Sequence, residues 1–374
     1  MKEALAEGGC ACVIRNTVGL AQATYLKLKE ELPGVEVELF HARFPFGRRA
    51  KIEKRVLRRY GRTKKDTEVD GKITVAPSRP KRAVLVATQV VEQSLDLDFD
   101  LMISDLAPAD LVLQRAGRLH RHERQQRSRK VNVPRLCLIE PELADYGVPL
   151  FGNSEKVYER YVLLRSYLAL ICKSSVHLPN DLEKLVEQVY GTSPMTIPDS
   201  WASTLLDSEE KMEESRRGQR LGAKSVMIHH PGAEDLFTQQ SARLDENNPE
   251  AHVKIRAATR DTNPSVQAII VYRINEVEYL DANGREPFEP TRKPTMFEAR
   301  RLMMNEISIT NLGLVFELIR HDIPTGWRES GLFKYHRVLR LDQTGTASLG
   351  KYLVCLTDDL GLWSDKVNSG ILGG

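Results

Sequence analysis

Residues 83–98 of this 374-residue chain read AVLVATQVVEQSLDLD. Ala83 to Ala87 is a short unbroken apolar run, the pattern of a strand buried on both faces of a parallel sheet. At Thr88 the character changes, and polar or acidic residues dominate up to Asp98. Thr88 therefore falls at the carboxyl end of a strand, where open α/β sheets place their ligands. The same alternation extends outward in both directions. Cys10 to Arg15 and Val35 to Phe40 read as strands, with a helix from Val18 to Leu32 between them. A basic helix follows from Arg49 to Tyr60, with Ile52, Val56 and Leu57 on one face. Residues 62–82 are polar, basic and proline-containing, and read as a surface excursion. Leu101 to Ser104 and Leu136 to Ile139 read as two further strands, joined by a helix from about Asp110 to Leu119. Strands alternating with helices imply βαβ units and a mostly parallel sheet.

After Pro141 the pattern changes. Amphipathic spacing predicts helices over Glu155–Cys172, Leu182–Tyr190 and Trp201–Leu221, the last highly charged. Residues 238–261 are polar and read as irregular. From Ser265 the chain is β-rich (SVQAIIVYRI, a turn near Asn283-Gly284, EISI, KYLVCL). The expected organisation is an α/β domain over 1–150, a helical linker over 151–250 and a smaller α+β C-terminal domain over 251–374. Hydrophobic residues make up 41% and charged residues 28%, which excludes fibrous and wholly disordered classes. No apolar run reaches the ~18 residues of a membrane helix. The N-terminal MKEALAEGG shows no secretory pattern. The odd number of cysteines, five, fits a reducing cytoplasm, and no second close pair completes a zinc site beside Cys10 and Cys12.

Two strings carry chemistry. In the first, Thr88 can offer a hydroxyl to a backbone phosphate, and Asp96 can bond a ribose hydroxyl or orient an arginine. The second is QRAGRLHR, Gln114 to Arg121. On a helix or at its end, Arg118 and Arg121 share a face and can converge on one polyanion. Two guanidiniums on a phosphate suit phosphoryl transfer, in which charge spreads over the equatorial oxygens. Gly117 leaves room for close backbone approach.

The strings VATQVVEQSLDLDFD and QRAGRLHRH, in this order and separation, resemble motifs V and VI of superfamily 2 helicases, and specifically those of the type I CRISPR-associated helicase-nuclease. Arg15-Asn16-Thr17-Val18 resembles its motif IV region. Phe40-His41-Ala42-Arg43-Phe44, followed by Arg49, resembles a further segment, although Arg48 stands where an acidic residue is usual. Ala258-Thr259-Arg260…Pro264-Ser265-Val266 and the tail ending Asp359-Leu360-Gly361-Leu362 are similar to the C-terminal domain of subtype I-E members. The resemblance implies that residues 1–150 are a second RecA-like domain. It implies arginine fingers at Arg118 and Arg121, and nucleotide contacts at Gln114, Asp96 and Gly117. It implies single-stranded DNA contacts at Thr88, Asn16, Thr17, His41 and Arg43, with Arg115 structural. ATP and Mg²⁺ are the implied cofactors. The implied role is ATP-driven translocation on single-stranded DNA in antiviral interference, partnered by the Cascade surveillance complex.

The chain contains neither a GxxxxGK[ST] loop nor a DExx box after a strand, and His321-Asp322 and His229-His230 lack the companions of a metal site. A P-loop half, in the same or a separate polypeptide, is therefore expected to hold ATP and Mg²⁺, and this chain alone is expected to be inactive as an ATPase. Two alternatives stand beside this reading: another DExH-type helicase fragment, and a non-catalytic nucleic-acid-binding or docking subunit. Charge favours a polyanionic partner. Residues 41–82 hold fifteen Lys/Arg against four Asp/Glu, and residues 114–135 hold eight against one. Aromatics are sparse there, so backbone contact is expected rather than base readout.

Overall fold

The computed structural model describes residues 1–62, 67–69, 72–74, 79–92, 95–124, 127–171, 173–191, 195–225 and 265–366. Residues 229–230, 238–261 and the 258–264 stretch read above lie outside these.

The first unit is a parallel sheet of β1 (Gly9–Ile14), β2 (Glu36–Phe40), β5 (Arg82–Ala87), β6 (Leu101–Asp105) and β7 (Arg135–Ile139), in the order β2-β5-β1-β6-β7. β1 and β5 lie inside the sheet and are buried almost throughout, which is why they are unbroken apolar runs in the sequence. α1 (Val18–Glu31) connects β1 to β2, and Thr17 caps it by accepting from the Leu20 N–H. α2 (Phe46–Tyr60) buries Ile52, Val56 and Tyr60. The excursion after it contains a short hairpin, β3 (Thr67–Val69) and β4 (Lys72–Thr74). α3 (Ala109–Ala116) connects β6 to β7.

A helical layer follows the short strands β8 (Glu142–Leu143) and β9 (Pro149–Leu150). It consists of α4 (Arg160–Ile171), α5 (Leu182–Tyr190) and α6 (Ala202–Ser225). Its core joins Val162, Leu163, Leu185 and Trp201 to Ala109, Val112 and Leu113 of α3, so one apolar cluster runs across residue 150. The helix expected from Glu155 is interrupted. A 3₁₀ turn covers Gly152–Lys156, and α4 begins only at Arg160.

The C-terminal unit has two sheets. In the first, β10 (Val266–Ile274) pairs antiparallel with β11 (Val277–Tyr279) and β12 (Glu306–Ile309), and parallel with β13 (Arg337–Asp342). The second is an antiparallel meander of β14 (Thr346–Leu349), β15 (Tyr352–Thr357) and β16 (Gly361–Lys366). Two helices not read from the sequence, α7 (Met296–Met304) and α8 (Leu312–Ile319), pack against them. No helix among the described residues is long and apolar enough to cross a membrane.

The β15–β16 turn docks this unit onto the first. Gln22 Nε2 donates to the Leu360 and Leu362 carbonyls at 2.8 and 3.2 Å. Lys29 pairs with Asp359 at 3.0 Å. The Leu362 N–H donates to the Arg43 carbonyl at 2.7 Å. His41 is fully buried in the joint: Nε2 lies 3.0 Å from the Leu360 carbonyl, Nδ1 accepts the Arg43 N–H, and the ring stacks on Phe44. This is the bonding of a neutral imidazole protonated at Nε2. Gly361 has φ +69°, and a Cβ there would meet the Arg43 carbonyl oxygen at 2.5 Å, so only glycine allows the closeness of the joint.

Two outcomes follow. Gly361→Ala destabilises the chain by roughly 1–3 kcal/mol, read as a lowered urea midpoint; an unchanged midpoint contradicts the docking geometry. Burial pushes the His41 pKa down to about 4, with the Arg43 charge acting the same way and the Leu360 bond opposing. A depressed histidine contributes stability that is full above the free imidazole value and is lost as pH falls through the folded one. The urea midpoint therefore falls between pH 6.5 and 4, and His41→Gln flattens that slope.

Candidate functional site

β6 ends at Asp105, and α3 then runs back along the sheet. It stops at Ala116, not at Leu119, so Arg118 and Arg121 share a turn and not a helical face. The turn is pinned to the amino end of β6. The Phe99 N–H donates to the Arg118 carbonyl, and the His120 N–H donates to the Phe99 carbonyl. His120 holds φ +48°, and its Nε2 lies 3.0 Å from the Val131 carbonyl. This reversal puts the Arg121 guanidinium on Asp96, with Arg118 near enough to feel that carboxylate's charge. Arg121 Nε donates to Asp96 Oδ1 at 2.7 Å, and His122 Nε2 lies 3.0 Å from the same oxygen. Slight burial works to raise the Asp96 pKa, but the bonds from Arg121 and His122 outweigh it and hold the carboxyl below its ordinary range. Arg118 Nη2 donates to the Glu92 carbonyl at 2.8 Å. Burial, and then the charge of Arg121, push the Arg118 pKa down. Of the two roles weighed for Asp96, the chain itself supplies the second, an arginine to orient.

Beneath this turn lies Arg115, which is 0% exposed. Its guanidinium meets the Glu92 carboxylate at 2.6 Å. It also donates to Ser104 Oγ, the Asp105 carbonyl, Asn16 Oδ1 and the Tyr158 hydroxyl. Asn16 is held at every polar group. Its N–H donates to Asp105, its Nδ2 to the Leu106 carbonyl and Ser154, and its carbonyl accepts from Gln89. Thr88 is buried, with its N–H directed to the Phe40 carbonyl.

Each expected site residue has a definite place in the fold. Asn16, Thr88 and His41 are buried side chains here. Asn16 ties the carboxyl end of β1 to that of β6, Thr88 ties the end of β5 to β2, and His41 seats the C-terminal unit. Arg43 is partly buried, its pKa pushed down by burial, and its backbone serves the same joint. Thr17 is half-buried and occupied as the α1 cap. Gln114 is exposed on the last turn of α3. Gly117 has an ordinary φ of −63°, and the nearest atom to an added Cβ is 3.4 Å away, so nothing within the chain demands glycine there.

The charge count is corrected. Asp98 and Asp100 are buried at the amino end of the sheet. Arg79 and Arg127 bond to both, and Arg124 to Asp98. Burial raises the Asp98 pKa, but these arginines overcome it and hold it below the ordinary range. Asp100 Oδ2 also accepts the Cys10 N–H at 2.7 Å. Arg55 and Arg59 are paired with Glu38. Much of the basic density at 114–135 is thus internal structure. What stays exposed includes Arg121, Arg129 and Lys130, and the α2 stripe Lys51, Lys54 and Arg58. Among the described residues, no three His, Cys, Asp or Glu side chains gather as a metal site.

Glu92, Gln89, Asp98 and Tyr158 were assigned no role from the sequence. The first three lie in or beside the quoted motif, and their polarity was the available signal. Tyr158 gave none, because the helical apolar spacing continues through it.

Residues 7–124 match the family model "CRISPR-associated nuclease/helicase Cas3, C-terminal", and residues 260–362 match "Cas3 C-terminal domain". The Thermus thermophilus CRISPR-associated endonuclease/helicase Cas3 is 35% identical over 335 residues, covering 88% of this chain and 35% of that protein. The chain therefore spans about a third of that relative's length. The crystal structure of T. fusca Cas3-ADP aligns with a TM-score of 0.76 at 30% identity, over 96% of this chain and 39% of that one. A chain of a CRISPR RNA-guided surveillance complex, in a pre-nicking state, aligns with a TM-score of 0.70 at 29% identity, over 94% of this chain and 40% of its own. The chain belongs to the Cas3 family of CRISPR-associated nuclease/helicases and corresponds to its C-terminal helicase portion.

Proposed function

We propose that this chain supplies the second motor domain and the C-terminal domain of an ATP-driven single-stranded DNA translocase acting in type I CRISPR interference in the cytoplasm. In this reading residues 1–150 are the second RecA-like domain, 151–250 a helical linker and 251–374 the C-terminal domain. The observation that carries it is the convergence of Arg118, Arg121 and Asp96 on one turn, above a buried arginine that fixes its position. ATP supplies the transferable phosphoryl group and Mg²⁺ neutralises its charge, both held mainly by a P-loop half. Arg118 and Arg121 contribute positive charge to the equatorial phosphoryl oxygens as that charge develops. For this, Arg121 exchanges its bond to Asp96 for one to phosphate. Both partners are about half exposed, at 42% and 52%, so the exchange costs little. Asp96 and Gln114, both exposed, are then open to the nucleotide.

The exposed α2 stripe and the Arg129–Lys130 pair suit sequence-independent contact with a DNA backbone. The likeness to a chain in a surveillance complex supports Cascade as the partner that loads the motor.

The test mixes this chain with the P-loop-bearing half of a Cas3 relative and measures ATP turnover with and without single-stranded DNA. DNA-stimulated turnover is expected. Arg121→Ala lowers kcat on the order of 10³-fold. Arg118→Lys keeps the charge but loses the fork, and lowers kcat roughly tenfold or more. Absence of stimulated turnover in the mixture, with DNA binding retained, favours the docking-subunit alternative. Tolerance of Arg118→Lys removes that residue from the finger assignment.

A further inference from the structure

The interruption between the 3₁₀ turn and α4 has a consequence for the site. Helical spacing continues through residues 155–161, yet the chain leaves the helix at 157–159. The break directs the Tyr158 hydroxyl toward the loop that follows β5, while its ring stays packed on the helical-layer core. Its hydroxyl accepts from Gln89 Nε2 at 3.2 Å and from Arg115 Nη2 at 3.3 Å. One helical turn earlier, Ser154 Oγ accepts from Asn16 Nδ2 at 3.0 Å, and the Ser154 carbonyl accepts the Tyr158 N–H at 2.9 Å. Two side chains from outside the α/β sheet thus enter the polar network between β1, β5 and β6.

Gln89 and Arg115 grip opposite ends of one short element. Gln89 opens the 3₁₀ turn Gln89–Val91, and its carbonyl accepts the Glu92 N–H at 3.0 Å. Arg115 holds the Glu92 carboxylate. The Glu92 carbonyl in turn accepts from Arg118 at 2.8 Å. One hydroxyl therefore braces both ends of the 89–92 segment, whose last carbonyl fixes the Arg118 guanidinium.

We infer that Tyr158 is a positioning residue for the motor chemistry: its hydroxyl couples the helical layer to the 89–92 turn and, through Glu92, sets the orientation of Arg118. The inference rests on the motor reading above. It makes the helical layer a mechanical neighbour of the nucleotide site as well as a connector. A movement of α4 against the sheet pulls on Gln89 and Arg115 together, and so on Arg118.

Tyr158→Phe isolates the hydroxyl. The ring keeps its packing against the second core, and Arg115 retains Glu92, Ser104 and the Asp105 carbonyl, so the fold is preserved. Hydrogen exchange on this chain alone is expected to quicken at least fivefold at the Val91 and Glu92 amides and to stay unchanged in β5. In the motor reconstituted with a P-loop half, DNA-stimulated kcat falls five- to tenfold while KM for ATP stays within twofold. Gln89→Leu combined with Tyr158→Phe loses less than the product of the two single losses, because the two side chains share one bond while Gln89 also holds Asn16 and Tyr158 also meets Arg115. Unchanged exchange at 91–92, an unchanged kcat, or additive losses overturn the inference. Wild-type protein without any DNA-stimulated turnover overturns the motor reading instead. The exchange measurement, which needs no turnover, tells the two failures apart.

Discussion

The buried pair of Arg115 and Glu92 is the constraint on which the rest of the site depends. A guanidinium with no solvent exposure is tolerated only where its donors are met, and here carboxylate, hydroxyl and carbonyl oxygens surround it. Those oxygens belong to the segments following β1 and β5, to the carboxyl end of β6 and to residue 158. Satisfying one side chain therefore locks four stretches of chain in register. Truncating one member of such a pair leaves an uncompensated buried charge, at a cost of about 3–5 kcal/mol. Lysine is no substitute, because a point ammonium cannot reach all these acceptors in a plane. Arg115 thus accounts for the placing of Arg118 and Arg121 without itself being exposed to a ligand.

A second set of buried charges does the same at the amino end of the sheet. Asp98 and Asp100 gather Arg79, Arg124 and Arg127 around the base of the turn that carries the exposed arginines. The near-neutral net charge of +3 reflects this pairing. Basic residues that look like an electrostatic footprint in the sequence are largely matched by acidic residues some twenty positions earlier. Among the described residues, the exposed basic surface includes one face of α2, the turn at Arg121 and the Arg129–Lys130 step.

The parallel sheet was legible because strands buried on both faces must be nearly unbroken apolar runs, and the central strands β1 and β5 are. The pairing of motif residues was legible only as proximity in sequence. Burial was not legible. Asn16 meets Ser154, and His41 meets Leu360, contacts over long sequence separations that no local pattern encodes. α8 escaped notice because it is apolar on both sides. Leu314, Val315 and Leu318 face the core, while Leu312, Phe316 and Ile319 are exposed, so no period of 3.6 stands out. α7 did carry a signal, the Thr295–Glu298 capping box. The break at Tyr158 ran against a continuing helical pattern, and tertiary hydrogen bonds prevailed over local propensity there.

The central claim is that this chain presents half of an ATP site, with the arginines but without the phosphate cradle. Turnover of ATP by the purified chain alone, with saturating single-stranded DNA and Mg²⁺, tests it most directly. The account predicts no DNA-stimulated hydrolysis. Hydrolysis by the chain alone that Arg121→Ala abolishes would contradict it, because the phosphate cradle would then have to lie within these 374 residues.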